Sequence, residues 1–220
     1  ESFQKRVKIL NDHNFKELHF TNSLGTDLHV GLVKGHIWAG GNDVTIETNI
    51  PFNPNMPTEE IFTTPSRSGV YGKVVASKPL DYNGTLVKDF WLTFEDGVVK
   101  DFDAKEGKDA LASLVHFDEG SNRLGEVALV PYESPISQSG ILFYNTLFDE
   151  NASCHLALGS AYPGNIEHGT DMSEEELLAA DVNQSLTHVD FMFGNEDMKV
   201  IGIKEDGTQV TVFENGNFVF

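Results

Sequence analysis

Apolar and polar positions alternate along most of this chain, with a period of two and breaks every eight to twelve residues. LHVGLV (28–33) and HIWAG (36–40) read as a hairpin, and DVTIETN (43–49) as a strand after a Gly-Gly-Asn turn. Further strands are expected at GVYGKVVAS (69–77), TLVKDFWLTFE (85–95), VVKDFDA (98–104) and EVALVPY (126–132), with Asp96-Gly97 closing a hairpin. From Met198 onward, Asp206-Gly207 and Asn215-Gly216 separate alternating runs, the signature of a three-strand meander. Trp38 and Trp91 alternate like core strand residues.

Three stretches switch to helical spacing. Residues 1–13 set Phe3, Val7, Ile9 and Leu10 on one side of a short helix. Over 106–117, Ala110, Leu111, Leu114 and Val115 recur at helical intervals. SEEELLAAD (173–181) opens with Ser173 and carries Glu176 three residues on, a capping box. PFNPNMPTEE (51–60) holds three of the eight prolines and reads as an ordered loop. The apolar run GILFYNTLF (140–148) fits strand or helix. The expected fold class is α+β: one β-rich domain, a mostly antiparallel barrel-like sheet with a few short helices.

Charge narrows the function. Thirty-four acidic residues against 15 basic ones give a net charge of −19 over 220 residues. That field repels phosphate backbones and anionic membrane surfaces, so neither nucleic acid nor membrane is an expected partner. Cys154 is the one cysteine, which rules out an intrachain disulfide, and no apolar stretch approaches the length of a membrane span. The cytoplasm is the expected location. The sequence opens on Glu rather than Met, as a segment of a longer chain would.

Several polar residues sit where metal chemistry is conceivable. In LTHVDFMFG (186–194), His188 and Asp190 are two apart and so project from one face of a strand, a natural metal half-site. Glu150 and His155 are five apart and can converge only around a turn, which Asp-Glu-Asn-Ala-Ser supplies; His155 also reads as a satisfied core histidine beside a buried Cys154. Glu126 opens an apolar strand after Gly125, and Glu60 ends the Pro-rich loop. A carboxylate carried inward needs a partner, which a cation would be, and a solvated strand end is the alternative. His13, His19, His29, His36, His116 and His168 show no partner spacing, and Arg67 and Tyr71 follow the Glu60 loop closely enough to border a cleft.

Taken together, NMPTEEIFTTP (55–65), LGEVALVP (124–131), NTLFDENASCHLALGSAYP (145–163) and NQSLTHVDFMFG (183–194) resemble, in order and spacing, the metal-binding half of the aminopeptidase T / aminopeptidase S metallopeptidases. The likeness runs from about residue 15 to the end. It implies that residues 1–220 are the metal-binding catalytic domain, without the additional N-terminal α/β domain of known members. It implies Glu60, Glu126, Glu150, His155, His188 and Asp190 as ligands of two divalent ions, and Tyr162 as the active-site tyrosine. Oxygen ligands with two imidazoles and no thiolate suit Zn, Co, Mn or Mg.

The activity implied is removal of N-terminal residues from peptides by a metal-bridging hydroxide. Tyr162 would donate to the oxyanion and Glu59 would be a possible proton shuttle; the substrates are peptides with a free N-terminus. The full-length protein would be a homodimer. Two other readings stand beside it: another dinuclear metallohydrolase, such as a phosphoesterase, and a metal-binding module without turnover of its own.

Overall fold

The computed structural model describes residues 2–45 and 47–220. In chain order the elements are α1 (Ser2–His13), β1 (Glu17–Thr21), β2 (Asp27–Leu32), β3 (Asp43–Val44), β4 (Pro51–Phe52), β5 (Ile61–Thr63), β6 (Pro65–Val75), β7 (Leu80–Tyr82), β8 (Thr85–Glu95) and β9 (Val98–Glu106). They continue with α2 (Lys108–Val115), β10 (Leu124–Leu129), α3 (Pro135–Ser139), α4 (Thr146–Asp149), β11 (His155–Gly159), α5 (Glu174–Ala179), β12 (His188–Met192), β13 (Lys199–Ile203), β14 (Gln209–Glu214) and β15 (Asn217–Phe218). The α+β class is as expected. None of the helices among the described residues is long and apolar enough to cross a membrane.

Two antiparallel sheets carry the fold. The larger runs β15-β14-β13-β1-β2-β6-β8-β7, with β9 also paired to β8; the smaller runs β12-β11-β10-β5. Neither path closes, so the barrel-like expectation gives way to open sheets. They share one apolar core, in which Val70, Val74, Phe90 and Leu92 of the larger sheet join Ile61, Val127, Leu156 and Phe191 of the smaller. Phe90 and Phe191 meet across it at 5.7 Å.

Local chemistry accounts for most elements. Asp96 and Gly97 both take positive φ (51° and 75°), as do Asn215 and Gly216 (51° and 73°), which matches the right-handed twist of the strands they join. At Ser173 the hydroxyl accepts from the Glu176 N–H, while the Glu176 carboxylate accepts from the Ser173 N–H, so α5 begins where its capping box does.

Several expectations fail. HIWAG is not the second arm of a hairpin: β2 lies between β1 and β6, and 36–40 contributes only single bridges, His36 to Ile166 and Ala39 to Phe62. DVTIETN forms the two-residue β3 and then a turn, and Ile46 within it lies outside the described residues. Only residues 146–148 of the 140–148 run become helical, as the start of α4, and Ile141, Phe143, Tyr144 and Leu147 are exposed. Trp38 is buried as expected, whereas Trp91 sits half-buried under the Lys73 ammonium, 4.6 Å from its ring.

Candidate metal centre

The smaller sheet builds the site on the face turned away from the shared core. Its register sets Glu126 opposite Ala157 and Ala157 opposite Asp190, with Gly159 opposite His188 and Ala128 opposite His155. Side chains two apart share a face, so Glu126, His155, His188 and Asp190 emerge together. Beyond His155, β11 contributes only a methyl at Ala157 and a hydrogen at Gly159 to that face, which leaves space for polar side chains from both flanks to meet. A register irregularity between Leu124 and Glu126 lets β10 bend there.

Two glycines permit the close approach of backbones beside the site. A Cβ on Gly125 would lie 2.3 Å from the Ser160 carbonyl oxygen. A Cβ on Gly159, whose φ is +116°, would lie 2.1 Å from the Thr187 carbonyl oxygen.

The remaining residues arrive from loops. Glu60 comes in just ahead of β5, and Glu150 opens a 3-10 turn, Glu150–Ala152, that follows α4 directly. Asn151 ties the two together: its Oδ1 accepts from the Glu59 N–H at 2.6 Å and its Nδ2 donates to the Leu147 carbonyl at 2.9 Å. The turn through Asp-Glu-Asn-Ala-Ser is therefore real, and it brings Glu150 and His155 to one place as expected. Glu60, Glu126, Glu150, His188, Asp190 and Tyr162 line one cavity of about 950 Å³. His155, fully buried, forms its floor through contacts with two of them.

The geometry is organised around Glu126. His155 Nε2 lies 3.3 Å from Glu126 Oε1 and 3.0 Å from Glu60 Oε2. His188 Nε2 lies 3.6 Å from Glu126 Oε2 and 3.5 Å from Asp190 Oδ1. Each oxygen of one carboxylate thus faces a different imidazole. Both rings are held from behind: His155 Nδ1 donates to the Ser153 carbonyl at 3.1 Å and His188 Nδ1 to the Ser160 carbonyl at 2.7 Å. Anchoring of this kind fixes the tautomer and points Nε2 inward. Two overlapping groups, Glu60–Glu126–His155 and Glu126–His188–Asp190, each present ligand atoms within 4.8 Å of one another, with Glu126 common to both.

Four buried carboxylates share this space, and the cost appears in their protonation. Burial pushes the Glu150 carboxyl up to about 9, aided by the charges of Asp190, Glu60 and Glu126. Burial likewise raises Glu126 to about 7. Burial opposes charging of His188, but the adjacent Asp190 and Glu126 outweigh it and lift the ring to about 9. Burial, followed by the neighbouring carboxylates, pushes the Tyr162 hydroxyl up to about 12. Asp190 Oδ1 is buried with no hydrogen-bond partner.

Comparison with known proteins settles the lineage. A model of the thermophilic metalloprotease (M29) family matches residues 1–218. The chain belongs to this family. Among its relatives, aminopeptidase AmpS of Bacillus subtilis (strain 168) is 53% identical over 220 residues, all of this chain and 53% of that protein. Aminopeptidase T of Thermus thermophilus is 45% identical over 218 residues, 99% of this chain and 52% of that one. The solved structure of wild-type AmpT from Thermus thermophilus superposes with a TM-score of 0.93 at 46% identity, covering 99% of this chain and 53% of that chain. The chain spans about half the length of the curated relatives it matches. A dihydroxypyridine dioxygenase of Pseudomonas putida shares the fold at 14% identity and a TM-score of 0.63.

Other residues fall differently from the sequence expectations. Tyr71 and Arg67 do not border this cavity: Tyr71 stacks on His29 at 4.5 Å on the larger sheet, and Arg67 Nε donates to Asn183 Oδ1. Glu59, half-buried, is not among the lining residues either. Asp43, Asp81, Asn83 and Phe117 do line it, and no local pattern marks them in the sequence, because each reaches the cavity from a distant segment.

Proposed function

We propose that residues 1–220 are the metal-binding catalytic domain of a dinuclear metallo-aminopeptidase whose further N-terminal domain lies outside this sequence. The observation that carries the reading is the division of Glu126 between two histidines, the arrangement of a bridging carboxylate. Glu60, His155 and Glu126 would hold one divalent ion; Glu126, His188 and Asp190 would hold the other, with Glu150 beside them. The donor set fits two ions rather than one, because four carboxylates balance the charge of two divalent cations. The unpartnered Asp190 oxygen and the carboxyls that burial forces towards protonation fit a site that cations would complete. Zn, Co, Mn and Mg all suit oxygen and imidazole ligands.

When bound, such ions supply the hydroxide nucleophile and the Lewis acidity that polarises a peptide carbonyl. The chain's own residues do the rest. Tyr162 keeps its proton throughout the physiological range and, half-exposed at the cavity edge with its ring 4.8 Å from His188, would donate to a developing oxyanion. The acidic wall, including Asp43 and Asp81, favours the free ammonium of a peptide N-terminus, while Phe62, Phe117 and Leu147 offer apolar surface to a side chain. No Lys or Arg lines the cavity among the described residues, which speaks against a phosphoesterase.

The full-length protein is expected to act as a cytoplasmic homodimer. The test is hydrolysis of an aminoacyl-anilide panel before and after chelation. Activity abolished by chelator and restored by Co, Zn or Mn supports the reading; chelator-resistant activity rejects it. Metal binding without turnover would assign this segment the binding role alone.

A further inference from the structure

A second group of metal-binding side chains stands on the outer face of the larger sheet. In β1 and β2 the inward positions are Leu18, Phe20, Leu28 and Val30, all fully buried, so Glu17, His19, Asp27 and His29 share the opposite face. The antiparallel register sets His19 directly across from His29 and His29 across from Tyr71 of β6. The two imidazoles stack at 3.9 Å with their planes 11° apart, and Tyr71 stacks on His29 at 4.5 Å.

Each ring is also engaged along its edge. His29 Nδ1 lies 2.6 Å from Glu17 Oε1, and the Tyr71 hydroxyl donates to the same carboxylate at 3.3 Å. His19 Nε2 lies 2.7 Å from Asp27 Oδ1. One ring nitrogen of each histidine and one Asp27 oxygen lie within 4.8 Å of one another.

We infer that His19, His29 and Asp27 form a surface site for one divalent transition ion of the zinc, nickel or copper type, independent of the buried centre. The chemistry of each donor supports this. A His29 Nδ1–H given to Glu17 leaves Nε2 with its lone pair, the carboxylate–histidine arrangement found behind metal ligands; because imidazole lone pairs lie in the ring planes, His19, whose side chain is 30% exposed, turns out of the stack to meet the same ion. The proton shared between His19 and Asp27 occupies the place a cation would take. Two imidazoles and one carboxylate select zinc-like ions over magnesium or calcium, which prefer oxygen alone. Asp27 is 73% exposed, so the fourth position opens to water. An ion here clips β1 to β2 on the face opposite the core.

The experiment is a zinc titration of the chelator-stripped 220-residue chain by calorimetry, repeated on His29→Gln, Asp27→Asn and Glu126→Gln, with imidazole resonances followed by NMR. The wild type should take one ion more than His29→Gln, and that ion should persist in Glu126→Gln, which perturbs only the buried centre. Asp27→Asn, which leaves both rings in place, should weaken the surface ion at least tenfold. Zinc should shift the His19 and His29 ring signals, and millimolar magnesium should leave them unmoved. Equal stoichiometry in wild type and His29→Gln, or ring signals that ignore zinc or respond to magnesium alike, would overturn the assignment.

Discussion

Stripped of cations, the buried cluster should make the protein less stable as pH rises, the reverse of ordinary acid denaturation. Glu150 ionises near 4.5 when unfolded but near 9 when folded, and His188 loses its proton near 6.5 unfolded but near 9 folded. Both folded values are raised. The stability each contributes is therefore complete below its unfolded value and is lost as pH climbs towards 9. Between pH 7 and 9 the folded state holds up to two more protons than the unfolded one from these groups alone. Each excess proton costs about 1.4 kcal/mol per pH unit, so the ceiling is roughly 2.7 kcal/mol per unit.

Four carboxylates and two imidazoles compete for those protons, which reduces the slope. Even about half of it removes a sizeable part of the roughly 5–15 kcal/mol that holds a domain together. Urea unfolding of the chelated chain at pH 6, 7, 8 and 9, followed by Trp38 and Trp91 fluorescence, reads the effect directly. With zinc or cobalt present the trend should reverse, because metal ligands must be deprotonated to bind. Stability of the metal-free chain that stays flat or rises from pH 6 to 9 would refute the reasoning.

Three further outcomes follow. His188→Ala should weaken divalent-ion affinity by about 10–100-fold or more while the circular dichroism spectrum stays that of a β-rich chain, since the apolar core lies on the other side of the sheet; unchanged affinity contradicts the ligand assignment. Tyr162→Phe should cut kcat by about 10²–10³ with metal stoichiometry intact, as the loss of an oxyanion donor does; a change confined to KM would remove Tyr162 from the chemistry. Gly125→Ala drives a Cβ to within 2.3 Å of the Ser160 carbonyl, an overpacking cost of about 1–3 kcal/mol, which lowers Tm by roughly 2–12 °C and shifts Glu126; a melting temperature equal to wild type would show that the strand pair gives way freely.

Local rules were legible wherever local chemistry decides the backbone. β8 spans Thr85–Glu95 as its alternation predicts, and the Asp-Gly and Asn-Gly turns and the Ser173 capping box fall in place. Asn83-Gly84 follows the same rule, with φ of 52° and 78°, and turns β7 into β8. Trp91 keeps the alternation but holds an outward position between buried Phe90 and Leu92, where the Lys73 ammonium covers its ring.

Residues 36–40 look like a strand because they are apolar. Their partners are Ile166 and Phe62, far along the chain, and sequence spacing carries no trace of them. The run 140–148 has no core to enter among the described residues.

The site divides along the same line. His188 and Asp190 are readable as a pair from the period of a strand, and the Glu150 turn from its composition. Their meeting with Glu60 and Glu126 depends on the β5-β10-β11-β12 order, which only the resemblance to a family anticipates. His19 and His29 illustrate the opposite case: ten residues apart, they have no spacing to notice, and antiparallel register alone places them face to face.

The central claim is that Glu126 joins two cations. Anomalous diffraction from crystals grown with zinc or cobalt tests it most directly. Two peaks flanking Glu126, one within about 2.0–2.2 Å of His155 Nε2 and the other as close to His188 Nε2, are the predicted result. A single peak in the cavity, or two peaks without Glu126 between them, would contradict it.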